Sequence, residues 1–152
     1  MILKWLKFWP LDVCLDLLFM CKHHVGDDKE LQAQINDQYT RYKLYESVLK
    51  VDKTWNEWQD LEEALRSDPI LVIKKLLQDT RQFDLAKRLT VTFSLPVSIL
   101  KEIDTSHLEF LLEKNETIAA FRKIETLGDH AVEICEVTFF FSLSLSFLLL
   151  IL

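Results

Sequence analysis

SDPILVIKKLLQDTRQFDLAKRLTVTFSLP, residues 67–96, spells out a pair of short helices. Ser67 and Asp68 are N-cap residue types, and Pro69 follows at the first helical position, where a missing N–H costs nothing. Ile70, Ile73, Leu76 and Leu77 then recur at helical spacing, which predicts one apolar face. Gln78, Asp79 and Thr80 interrupt that face before a second periodic run of Phe83, Ala86, Leu89 and Phe93, which stops ahead of Ser94 and Pro96. The spacing predicts a helical hairpin with Leu76, Leu77, Phe83, Ala86 and Leu89 in its core, Ala86 marking the closest approach of two helices. Such a unit leaves apolar surface that needs neighbours, and it names no chemistry.

Working upstream, residues 1–25 read MILKWLKFWPLDVCLDLLFMCKHHV, a superficially signal-like stretch. Pro10, Asp12 and Asp16 interrupt the apolar run that a signal peptide requires, and no small-residue cleavage site follows. A helix from about Leu11 to His24, with Leu11, Cys14, Leu15 and Leu18 inward, is the expectation. Gly26 ends it, and Asp27 or Asp28 caps a long amphipathic helix carrying Leu31, Ile35, Tyr39, Tyr42, Tyr45 and Leu49. After a break at residues 51–54, Thr54 is expected to cap a stripe of Trp55, Trp58, Leu61 and Leu65. Trp55 and Trp58 are the candidate partner-binding residues, because exposed tryptophans make hot spots. Packing between stacked helices is the commoner use of such a pair.

Downstream, Pro96 to Ile103 reads as a short helix, and Thr105 or Ser106 as the cap of a segment bearing Leu108, Leu111 and Leu112. Asn115 is expected to open a last helix with Ile118, Ala119, Phe121, Ile124 and Leu127, closed by Gly128 just past its end. The expected class is all-α, with helical hairpins stacked as an α-solenoid fragment and a hydrophobic C-terminal segment. The expected partition is an N-terminal helix (1–25), a helical-repeat domain (26–128) and a hydrophobic tail (129–152).

That tail ends in VTFFFSLSLSFLLLIL, Val137 through Leu152, which holds no charge in a chain that is 28% charged. As a helix it would rise about 24 Å, less than the roughly 30 Å of a hydrocarbon core. Its alternating FSLSLSF also fits an aggregation-prone strand. A short tail anchor in contact with membrane, a buried helix and a non-native end all remain open. Deletion of 137–152 is expected to improve solubility with little change in melting temperature.

Composition narrows the chemistry. The 152 residues suffice for one core, and 18 basic against 24 acidic residues give a net charge of −6, which argues against nucleic acid as a partner. The chain has two glycines, Gly26 and Gly128, too far apart for a phosphate-cradling loop. Three cysteines without a CxxC pair do not make a disulfide framework and suit a reducing compartment. Cys14, Cys21, His23 and His24 offer zinc donors, yet one helix would point them around its axis, where they cannot close a tetrahedron. His107 and His130 accompany no nucleophile motif, and Asn115-Glu116-Thr117 is a glycosylation sequon only in a secretory lumen. The expectations are no catalytic, cofactor or metal site and no enzymatic activity. A tail-anchored protein and a hydrolase built from scattered acids and His107 are the alternatives of other classes.

One resemblance adds to this. Trp55, Trp58, Asp68-Pro69, Leu76-Leu77, Phe83, Leu85-Ala86 and Leu95-Pro96 lie in a pattern that resembles the helical-repeat region of the spastizin family, large FYVE-domain proteins of endosomes and lysosomes. It spans residues 26–128. The resemblance implies a cytoplasmic scaffold associated with endosomal and lysosomal membranes, working in membrane trafficking, autophagic lysosome reformation and cytokinesis, with a spatacsin-like partner. It does not carry over lipid binding by a FYVE finger, whose clustered zinc ligands and basic RRHHCR-type motif are absent from this sequence.

Overall fold

The computed structural model describes residues 5–138, and every regular element among them is helical. The helices are α1 (Leu11–His24), α2 (Lys29–Val51), α3 (Trp58–Ser67), α4 (Pro69–Lys75), α5 (Phe83–Thr92), α6 (Val97–Glu113) and α7 (Thr117–Thr126), and the chain is helical again over 131–138. Single turns of 3-10 helix lie at Leu6–Phe8 and Gly128–His130. The chain forms two compact units, one up to Phe93 and one from Ser94.

In the first unit α2 is the central element, with α1, α3 and α5 all packed on it. Asp28 starts it by accepting the Leu31 N–H at 3.0 Å, the capping its residue type predicts. A helix covered from several sides buries more than one stripe. Ile35, Tyr42 and Tyr45 of the predicted stripe are buried, and so are Leu44 and Val48, while Leu31 stays exposed. In α1, Cys14, Leu15 and Leu18 face inward as their spacing requires.

The hairpin of residues 67–96 follows its sequence closely. Asp68 accepts the Leu71 N–H at 3.0 Å and Pro69 occupies the first turn of α4. The polar interruption is a widened, π-helical turn over Leu76–Thr80, in which the Thr80 hydroxyl donates to the Leu76 carbonyl at 2.9 Å. Arg81 ends it in the left-handed region at φ 54°. Leu76, Leu77, Phe83, Ala86 and Leu89 are all buried, as the spacing predicts.

Three expected boundaries move. Thr54 does not cap α3; its N–H donates to the Asp52 carboxylate at 2.8 Å in a tight Asx turn, and α3 begins only at Trp58. Residues 97–113 form one helix rather than two, because the Thr105 hydroxyl donates back to the Lys101 carbonyl at 2.9 Å and is satisfied without a break. Asn115 closes α6 rather than opening α7. At φ 56° its N–H donates to the Leu112 carbonyl and the next N–H, of Glu116, reaches Leu111, a Schellman pair.

In the second unit Gly128, also at φ 56°, follows α7 just past its end, the position expected for it. The helical stretch 131–138 then packs on the same core. Ile134 is buried with Leu108, Leu111, Ala120 and Leu127, and Ala131 and Cys135 lean on them. Lys101 pairs with Glu133 across that contact, and Lys123 with Asp104 between α7 and α6. Residues 131–138 are therefore part of this unit. Residues 139–152, on which the anchor, strand and deletion expectations fall, lie outside the described residues. Among the described residues no helix is long and apolar enough to cross a membrane.

Candidate functional site

The two tryptophans singled out by spacing have different surroundings, since only one of them is in α3. Trp58, in the first turn of α3, is buried against Tyr42 and Tyr45 of α2, with ring centroids 4.8 and 6.2 Å away. Its indole N–H donates to the Trp9 carbonyl at 3.0 Å, a link that spans 49 residues of chain. Burial pushes the Tyr42 phenol up to about 12, the nearby charge of Glu62 adding to a shift that a hydrogen bond with Gln38 opposes. Tyr45, more deeply placed, is raised further for the same first reason. Trp58 and these phenols form a neutral aromatic core, not an open surface.

Trp55 lies in the loop before α3 and is half-buried, with the Lys75 ammonium 5.4 Å from its ring centre. Burial of Asp52 in that loop would raise its carboxyl, but donation from Thr54 outweighs this, with Lys75 helping, and holds the pKa below its ordinary value. The Trp55 indole N–H is shielded from solvent and has no partner in hydrogen-bonding geometry; it lies close enough to Asp52 to add to that lowering. The loop 52–57 is thus an ordered polar turn with a tryptophan and a lysine on its surface.

Sequence spacing missed a third aromatic group. The turn at residues 5–9 buries only Leu6; Trp5, Lys7, Phe8 and Trp9 are exposed. Three bonds brace its backbone from below. The Cys14 thiol donates to the Leu6 carbonyl at 3.1 Å, the Trp58 indole to Trp9, and the Gln59 amide to Lys7 at 3.2 Å. Burial, with the charge of Asp12, raises the Cys14 pKa and keeps the thiol a donor. The signal was present as WLKFW, but a periodicity search overlooks a single turn.

The second unit carries an apolar cleft of about 230 Å³ between α6, α7 and the stretch 131–138, lined chiefly by Leu108, Leu112, Ala120, Phe121, Ile124 and Cys135. Ile118 and Phe121 of α7, with Val132, are the most exposed large apolar residues described in this unit. Among the described residues its walls offer no nucleophile–base pair. Cys14, Cys21, His23 and His24 all lie on α1, with the Cys14 thiol turned to backbone carbonyls and His23 edge-on to Phe19 at 4.6 Å. Among the described residues no three metal-ligating side chains gather.

No protein-family model matches the chain, and no solved structure matches it. A Dictyostelium discoideum protein is 25% identical over 162 aligned positions, which span 90% of this chain and 6% of that protein. Zinc finger FYVE domain-containing protein 26 of Rattus norvegicus, the spastizin of the sequence resemblance, is 25% identical over 129 positions, 84% of this chain and 5% of its own length. The Homo sapiens counterpart is 22% identical over the same share of each chain. The chain thus spans about one-twentieth of the length of these curated relatives, with 5% and 6% of their residues matched. Over most of its own length it is distantly related to spastizin.

Proposed function

We propose that this chain serves as a non-enzymatic helical scaffold segment of the spastizin kind, a protein-binding body that acts in endosomal and lysosomal membrane trafficking. The observation that carries this reading is the distant relatedness over 84% of the chain, joined to an all-helical body. In this reading the hairpins stack as an α-solenoid, the partner is spatacsin-like, and the process includes autophagic lysosome reformation and cytokinesis. Trp55, half-buried under Lys75, is the member of the tryptophan pair left open to a partner.

The test is proximity labelling of the tagged full chain in cells, with organelle fractionation beside it. Enrichment of a spatacsin-like protein and of endosomal and lysosomal membrane proteins is the expected result. Labelling confined to unrelated compartments would contradict the proposal.

A further inference from the structure

We propose that the turn at residues 5–9 is a membrane-surface contact: Trp5, Phe8 and Trp9 enter the headgroup boundary of a bilayer, and Lys7 pairs with anionic headgroups. This inference stands on the turn itself and is independent of the scaffold reading.

Water-exposed aromatic area on this scale needs a cause. Trp5 is 63% exposed, Phe8 67% and Trp9 47%, with Trp5 and Phe8 ring centres 6.0 Å apart. A frayed end would expose rings too, but this turn is held. Leu6 is buried beneath it, and the carbonyls of Leu6, Lys7 and Trp9 each accept a side-chain bond from below. The backbone is fixed while the rings point away, which lowers the ordering cost of inserting them.

Composition favours a lipid surface over a protein. Indole rings prefer the boundary between hydrocarbon and headgroups, where the ring is apolar and its N–H stays wet. Lys7, exposed with its ammonium 4.9 Å from the Phe8 ring centre, places a positive charge beside that insertion. The sequence MILKWLKFW holds two lysines and no acid before Asp12, in a chain whose net charge is −6. This strongly apolar surface turn is therefore also basic in its sequence, the complement of an anionic membrane. Asp12 bounds it along the chain, and Glu57 bounds it on the side of the shallow cleft that Phe8 and Trp9 share with α3.

The experiment uses the full chain and vesicles of phosphatidylcholine, alone or mixed with phosphatidylserine, with circular dichroism confirming that each variant keeps its helicity. Co-sedimentation with mixed vesicles should weaken about tenfold or more in a Trp5→Ser, Phe8→Ser double variant. Lys7→Gln should weaken it about fivefold on the mixed vesicles and leave binding to pure phosphatidylcholine unchanged. Brominated lipid should quench tryptophan emission, and the quenching should disappear in a Trp5→Phe, Trp9→Phe variant even if another segment also holds the chain on vesicles. Quenching that is the same in that variant overturns the proposal. So does the absence of vesicle binding, including the case in which the wild type but not the double variant self-associates and the turn is a protein contact.

Discussion

Trp58 and Trp55 stand three residues apart in sequence and do opposite things. Trp58 fills the space between Tyr42 and Tyr45 and ties α3 to the Trp9 carbonyl. Trp58→Ala should cost about 3–5 kcal/mol in chemical denaturation, whereas Trp55→Ala should cost less than half of that. The phenols of the same cluster give a pH signature. Burial raises the Tyr42 pKa from 10.0 to about 12, so its contribution to stability is complete below pH 10 and is lost as pH rises toward about 12. Absorbance of tyrosinate should therefore lag the titration of an unfolded control across that window and rise together with loss of helical signal. Spacing placed both tryptophans on one stripe because Trp55, Trp58, Leu61 and Leu65 step evenly. It could not register that Asp52 captures the Thr54 N–H and delays the helix start to Trp58.

At the scale of elements, the hairpin of residues 67–96 was legible because each signal in it agrees: a cap, a proline at the first turn and a small residue at the contact. Ala86 is fully buried, so Ala86→Phe should overpack the hairpin by about 1–3 kcal/mol, read from the denaturation midpoint. Helix ends elsewhere were harder. Asn115 and Thr105 are residue types that serve either as caps or in other roles, and only the folded backbone shows which. Because Asn115 occupies the left-handed region, Asn115→Gly should be neutral or stabilising and Asn115→Ala should cost about 1 kcal/mol. If Asn115 instead capped α7, the glycine variant would lose stability as well. The burial of Leu44 and Val48 was hidden for another reason: a single amphipathic stripe describes a helix with one neighbour, and among the described residues α2 has at least three.

For the whole molecule, helical class followed from composition and period, since two glycines and repeated polar turns leave little else. The two-unit division did not, because contacts between residues distant in sequence leave no local trace; the stretch 131–138 meets α6 through the burial of Ile134 and the Lys101–Glu133 pair. The surface candidates divide in the same way: Trp55 was visible in the spacing, and the exposed turn at residues 5–9 was not. The scaffold proposal rests on the all-helical described body and on its distant relatedness to spastizin. The most direct test of the scaffold reading is isothermal titration of the purified full chain against a purified spatacsin-like partner. The account predicts saturable binding that Trp55→Ala weakens while helicity is retained. Absence of binding by a chain that circular dichroism shows to be folded would contradict it.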